Sequence, residues 1–114
     1  MKKCLIYTRT QNPCLGNPEN LALRQLQSLY CERFAEKYNY HVFATIWETE
    51  PQKNTPFRNG LSDVYKICKK FNIYEVLVAN SEIISENFSG WDNITNFFLK
   101  RNIFILPVDE ADVN

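Results

Sequence analysis

The sequence is short of several features that define common types of site. It has only three glycines and one histidine in 114 residues. It therefore has no G-x-G-x-x-G run and no P-loop, and it also lacks a G-x-S-x-G elbow, which excludes the usual phosphate cradles and the hydrolase-type nucleophile turn. No apolar run is long enough for a signal peptide or a membrane span, so we expect a cytoplasmic protein without membrane contact.

Charge of either sign is not in excess, because 13 Lys and Arg balance 13 Asp and Glu. Attraction of the whole molecule to nucleic acid is thus absent, and DNA contact would need a local patch. Lys66, Lys69 and Lys70 form one basic cluster, although a solvated helix face is the simpler interpretation. The four cysteines form no C-x-x-C pair and His41 cannot complete a zinc set, so we expect reduced thiols and no metal or other cofactor.

Length and composition indicate one globular domain over residues 1–114, with 45% hydrophobic and 23% charged residues. Short apolar or β-branched runs alternate with segments of helical periodicity. The runs lie at residues 4–7, 42–47, 73–79 and 103–106. A β-α-β-α-β-α-β order predicts a three-layer α/β/α fold with a mainly parallel four-stranded sheet and flavodoxin-like winding.

The helices carry their own signals. Pro18 suits the first position of the first helix, and Asn39 suits a left-handed helix end. Helical periodicity returns from Phe57 and again from Trp91. We expect the acidic tail at residues 109–112 to be frayed. The first helix has one apolar stripe, typical of a helix that packs on a core, with the members Leu23, Leu26, Leu29, Tyr30 and Phe34.

Ligands of open parallel sheets bind beyond the carboxyl ends of the strands, where the winding reverses. The first and third strands usually flank that point, which directs attention to residues 8–17 and 80–88. Arg9 directly follows the first strand. Glu82 and Glu86 follow the third strand and are spaced to share a helix face as metal ligands, but solvated surface carboxylates are the simpler interpretation.

Four stretches together resemble serine recombinases, the family of resolvases, invertases and large serine integrases. YTRTQ at residues 7–11 resembles the Y-x-R-x-S signature. LRQL at 23–26 resembles an L-x-R-Q helix start, and RNGL at 58–61 resembles an R-x-G-L segment. LVANSEIISEN at 77–87 lies where the family has L-V-x-x-x-D-R-L-x-R-N. The resemblance covers residues 4–110 and implies a resolvase-like domain connected with DNA recombination and mobile elements.

The resemblance also implies a chemistry that this sequence departs from. In the family, a serine attacks a DNA phosphate while arginines stabilise the charge that gathers on phosphorus. Here Gln11 stands at the serine position, and the D-R-L-x-R run has become EIISE, so that two arginines are replaced. The loss of one such donor costs about 3–4 kcal/mol of transition-state stabilisation. The corresponding family positions are Tyr7, Arg9, Gln11, Arg58, Glu82 and Glu86.

We therefore expect a catalytically degenerate domain that acts through protein or DNA interaction, as a homo-oligomer or beside an intact recombinase. Arg9, Arg58 and Arg24 are the expected anion or phosphate contacts, because guanidinium groups suit phosphate geometry. Family members continue into a long helix with dimer contacts and a DNA-binding region. The chain stops at Asn114, about where that helix would begin, so the natural protein is either longer or minimal.

Two alternatives remain open at this point. One is an active or truncated recombinase with a shifted nucleophile, for which Thr8, Thr10, Ser85 and Cys14 are the candidates. The other is a small anion- or nucleotide-binding module centred on Arg9. The first predicts a single substitution that abolishes strand cleavage, and the second predicts stabilisation by phosphate, sulfate or nucleotides.

Overall fold

A computed structural model describes residues 1–10, 18–48 and 55–111. A 3-10 turn, Ser81–Ile83, follows the third strand. The strands and helices of the described residues are, in chain order, β1 (Lys2–Arg9), α1 (Pro18–Lys37), β2 (Tyr40–Glu48), α2 (Asn59–Phe71), β3 (Glu75–Val78), α3 (Phe88–Leu99), β4 (Phe104–Pro107) and α4 (Val108–Ala111).

The four strands form one parallel sheet in the order β2-β1-β3-β4. This is the flavodoxin-like winding that the alternation of elements predicted, and the prediction is confirmed. The register pairs Arg9 at the end of β1 with Glu48 at the end of β2. On the other side of β1, Leu5 pairs with Val76 of β3. The winding therefore reverses on the two sides of β1, and the residues after β1 and β3 share the carboxyl edge.

Helices cover both faces of the sheet. Right-handed crossovers place α1 on one face and α2 and α3 on the other. The contacts agree, because α1 touches α4 while Tyr65 of α2 packs edge-on against Phe97 of α3. The central strand is fully buried from Cys4 to Tyr7. A strand covered on both faces needs a continuous apolar run, which is the pattern that β1 shows.

An asparagine lies between each long helix and the strand that follows it. Asn39, Asn72 and Asn102 have φ angles of 62°, 56° and 62°. Asparagine tolerates this left-handed region better than other residues with a β-carbon. The predicted left-handed end at Asn39 is confirmed, and all three such turns lie at the amino edge of the sheet.

Two expectations from the sequence were wrong. Of the apolar stripe on α1, only Phe34 is buried; the others are exposed, since the face that α1 turns to the sheet lies to one side of the stripe. The tail is also not frayed at its start, because residues 108–111 form α4. Val108 is buried and anchors this turn on the sheet.

A span across a bilayer needs about 20 consecutive apolar residues in a helix. None of the helices in the described parts of the chain meets that requirement.

Candidate functional site

The segments that follow β1 and β3 meet at one carbonyl group. Nε of Arg9 donates a hydrogen bond to the backbone oxygen of Ile83 at 3.3 Å. Nη2 of Arg58 donates to the same oxygen at 3.2 Å. The structure therefore brings the two predicted arginines together at the carboxyl edge, beside the 3-10 turn that carries Glu82 and is followed by Glu86.

A cluster of three buried side chains lies beneath this point, and we call Tyr7, Glu48 and Arg58 the buried cluster. Nε of Arg58 lies 3.3 Å from Oε1 of Glu48, and neither side chain has any solvent-exposed area. The Tyr7 hydroxyl donates to Oε1 of Glu48 at 2.9 Å. It accepts from Nε and Nη2 of Arg58 at 3.1 and 2.9 Å. Each member is thus paired with both others, as buried charges require.

Glu48 also fixes the beginning of α2. Its Oε2 accepts a hydrogen bond from the Gly60 amide at 2.9 Å, and its Oε1 accepts from the Leu61 amide at 3.3 Å. Arg58, at the N-cap position, gives no side-chain cap. A carboxylate from β2 therefore satisfies amides that the helix leaves open, and it suits the positive end of the helix dipole.

The glycine at position 60 is needed for this contact. A β-carbon there would lie 2.5 Å from Oε1 of Glu48 and 2.7 Å from its carboxyl carbon. The carboxylate is also held by Arg58 and Tyr7, so a movement away from the helix would weaken those contacts. In this structure, the glycine of the RNGL segment thus serves the approach of Glu48 to the helix.

Burial sets the protonation of Tyr7. Removal of the phenol from water raises its pKa far above the ordinary value. The Arg58 guanidinium opposes this shift, and the Glu48 carboxylate adds to it. The hydroxyl therefore stays protonated and remains a donor to Glu48.

The electrostatic surroundings of Arg9 are mixed. Burial lowers the pKa of Arg9, and the neighbouring Arg58 guanidinium lowers it further. The phenol of Tyr7 and the carboxylates of Glu86 and Glu48 act in the opposite direction. The carboxylate of Glu86 thus acts on Arg9 from a position where the resemblance implies an arginine.

The backbone of Arg9 is held by α1. Its amide donates to Oε1 of Gln27 at 3.0 Å, and Nε2 of Gln27 donates back to the Arg9 carbonyl at 2.8 Å. Gln27 was missed in the sequence, and so was Glu48. A glutamine on a helix face gives no sequence signal of this role, whereas an acidic residue closing a strand before an R-x-G segment could have drawn attention to Glu48.

The hydroxyls considered as replacement nucleophiles are mostly engaged. The Thr8 hydroxyl donates to the Ile46 carbonyl at 3.2 Å. Ser85 Oγ accepts from the Asn87 amide at 3.3 Å, and both Ser85 and Thr10 are buried. Gln11 and Cys14 lie outside the described residues. Glu82 and Glu86 are both exposed.

Arg24 makes its contacts elsewhere. Its guanidinium carbon lies 4.5 Å from the centre of the Trp47 ring. It borders a groove with Glu32, Thr45 and Trp47 on the α1 side of β2. Side chains alternate between the faces of a strand, so Trp47 and Glu48 point opposite ways. The structure therefore unites Arg9 and Arg58 but places Arg24 against Trp47 on the α1 face.

Metal binding finds no support in the parts of the chain that the structure describes. Within residues 1–10, 18–48 and 55–111, no three His, Cys, Asp or Glu side chains gather in an arrangement able to hold an ion. The carboxylates at positions 82 and 86 therefore form no such group there.

No protein-family model and no curated protein sequence matches the chain. Three solved structures resemble it closely in fold. The N-terminal catalytic domain of TP901-1 integrase matches with a TM-score of 0.75 and 18% identity, over 96% of this chain and 80% of that one. The C-terminal catalytic domain of ISC1926 TnpA, an IS607-like serine recombinase, matches with a TM-score of 0.72 and 17% identity, over 93% of this chain and 69% of that one. A resolvase family site-specific recombinase from Streptococcus pneumoniae matches with a TM-score of 0.72 and 14% identity, over 96% of this chain and 74% of that one. The chain therefore has the fold of serine recombinase catalytic domains.

Proposed function

We propose that this chain, which has the fold of serine recombinase catalytic domains, is a recombination-related domain that no longer cleaves DNA and acts by contact with DNA or with an intact recombinase. One observation carries the proposal. A carboxylate acts on each of the two retained guanidinium groups: Nε of Arg58 lies 3.3 Å from Oε1 of Glu48, and the charge of Glu86 works to raise the pKa of Arg9.

Strand cleavage needs an excess of positive charge where the phosphate reacts, because negative charge develops there in the transition state. In this site, two carboxylates offset two guanidinium groups. Arg58 would also have to leave the interior to meet a phosphate, and its departure would break its ion pair with the buried carboxylate of Glu48. Loss of one partner of a buried pair costs about 3–5 kcal/mol.

The residue at the position of the nucleophile also supports a domain that does not cleave DNA. Gln11 occupies the serine position in the resemblance, and an amide does not accept a phosphoryl group in this chemistry. Thr8 precedes Arg9 in the chain and Ser85 follows the 3-10 turn, and the hydroxyls of both are engaged with backbone groups. This supports a domain whose remaining role is recognition.

The test is a search for a covalent intermediate. The protein is incubated with supercoiled plasmid that carries the DNA flanking its own gene, then denatured in detergent and probed for DNA-linked protein. An intact serine recombinase on its own site serves as the positive control. We expect no adduct above the level given by the Arg9→Ala variant, and an adduct that depends on Arg9 would overturn the proposal.

A second measurement tests the recognition role. Fluorescently labelled duplex from the same region is titrated with the chain, with and without the intact recombinase, and the anisotropy is followed. We expect the chain to bind the duplex or to change the affinity of the recombinase for it. If it does neither, the proposal of recognition fails even though the domain is inactive.

A further inference from the structure

An exposed apolar seam runs along α1. Leu23, Leu26 and Tyr30 are 52%, 44% and 49% exposed, and Arg33 continues the row in an exposed position. We call these four residues the α1 seam. Their spacing of three, four and three residues is the a/d pattern by which one helix packs along another.

The protein's own sheet does not use this seam. Among the buried side chains of α1, Asn20, Cys31 and Ala35 lie to one side of the seam, and Phe34 borders it. A groove of about 470 Å³ runs beside the seam, with Phe34, Ala79 and Val108 in its lining. Contiguous exposed apolar surface of this kind marks an interaction site.

We propose that the α1 seam binds the same seam of a second copy of this chain, with the two helices antiparallel about a two-fold axis. An axis that passes between Leu26 and Tyr30 sets Leu26 against the partner's Tyr30, and the symmetry repeats this contact. The next layer outward sets Leu23 against the partner's Arg33, whose aliphatic stem can cover a leucine while its charge stays in water. One surface thus provides both halves of the interface, as a two-fold dimer requires.

The charges beside the seam favour this arrangement. The same axis sets Glu19 against the partner's Lys37, and both positions continue the a/d row of the seam, four residues before Leu23 and four after Arg33. A parallel pairing would instead set Arg33 against the partner's Arg33. Exposed ion pairs contribute orientation more than affinity. Lys37 already lies 5.4 Å from the ring of Tyr38, so the ion pair would add to that contact.

The inference goes beyond the proposed function, because the α1 seam shares no residue with the buried cluster or with Arg9. The first test is the molar mass by light scattering and sedimentation equilibrium, from about 1 µM to about 1 mM, the range of weak to moderate self-association. We expect the mass to rise from one copy to two. A single copy at every concentration would overturn the proposal.

A pair of matched variants locates the interface. Leu26→Glu puts a carboxylate at the centre of the seam and should raise the dimer dissociation constant at least about tenfold, since a charge would be desolvated against the partner's Tyr30. Leu21→Glu makes the same change at a residue that is also on α1 and 37% exposed. It lies two residues before Leu23, about 200° round the helix, and should leave the constant unchanged. Far-UV circular dichroism checks that both variants fold, and equal weakening by both would overturn the proposal.

Cysteine cross-linking tests the antiparallel register. Leu26→Cys and Tyr30→Cys chains, each with Cys14→Ser, are mixed and oxidised with diamide. A disulfide-linked dimer should form in the mixture, and a mixture of Leu21→Cys with Tyr30→Cys should give none. If the wild type is dimeric but the first mixture does not cross-link, the register proposed here is wrong.

Discussion

The guanidinium of Arg58 and the carboxylate of Glu48 form an ion pair, 3.3 Å from Nε to Oε1, from which solvent is entirely excluded. Tyr7 completes it with hydrogen bonds to both partners. The pair joins the end of β2 to the start of α2 and lies against the central strand. Its removal should therefore be felt in the stability of the whole domain.

Glu48→Gln tests the pair directly. The amide keeps the size of the side chain but removes the charge that Glu48 sets against the buried Arg58 guanidinium, so we expect the free energy of unfolding to fall by about 3–5 kcal/mol. Urea titration followed by circular dichroism measures it. Glu36→Gln, at an exposed position of α1, should change stability by less than about 0.5 kcal/mol. Similar effects of the two variants would contradict a role for the pair in stability.

Tyr7→Phe removes one hydroxyl that serves two partners. Glu48 loses a donor, and Arg58 loses the acceptor of two hydrogen bonds, while the ring still fills its place in the core. We expect a loss of about 1–3 kcal/mol, the cost of leaving buried polar groups unsatisfied. The same urea titration measures it. In a Glu48→Gln background the loss should be smaller, since the two side chains share one network, and strict additivity would argue against the coupling.

Gly60→Ala should destabilise the domain although alanine is the better helix former. The added methyl group would lie 2.5 Å from Oε1 of Glu48, which forces the carboxylate or the helix to move. We expect a loss of about 1–3 kcal/mol, as for overpacked cores. Asp63→Ala, at an exposed position of the same helix, controls for helix propensity. A stabilised Gly60→Ala variant would show that Glu48 can retreat at no cost.

Alkaline pH should weaken the domain through its buried thiols. Burial raises the pKa of Cys31 to about 12, with smaller contributions from Cys4 and Glu32. At a pH where this thiol ionises in the unfolded chain, it therefore stays protonated in the folded state. Because the folded pKa lies above the unfolded value, the contribution is complete below about pH 9 and is lost as the pH rises, by at most about 1.4 kcal/mol per pH unit.

The measurement for this fourth prediction is the slope of unfolding free energy against pH between about 9 and 10, where one buried thiol accounts for up to one proton. Cys31→Ala should flatten that slope by close to one proton, whatever its effect at neutral pH. The comparison of slopes separates ionisation from lost packing. An unchanged slope would show that Cys31 does not titrate with unfolding.

The sequence was sufficient for the fold, because each element carried a local signal. The apolar run at Cys4 to Tyr7, the left-handed Asn39 and the spacing of Leu61, Val64 and Cys68 report on their own neighbourhoods, and all three agree with the structure. The meeting of the segments after β1 and β3 also followed, since it depends only on the winding of the sheet.

No local signal in the sequence predicts that Glu48 is buried. The predicted strand at residues 42–47 stops short of Glu48, because a polar segment with two prolines begins there. The burial of Glu48 depends on an arginine ten residues later and on a tyrosine from another strand. The prediction that the α1 stripe packs on the core was wrong for a related reason. Periodicity shows that Leu23, Leu26 and Tyr30 share a side of the helix, but which side faces the sheet is decided by the whole packing.

The three asparagines with positive φ have a practical consequence for work on this protein. These asparagines form similar tight turns at the end of the molecule remote from Arg9. A glycine could adopt the same backbone conformation at each of them. A fluorophore, an affinity tag or a permuted terminus placed at one of these turns would stand a full strand length away from the charged end. The turns at Asn72 and Asn102 are therefore the natural attachment points for the measurements described above.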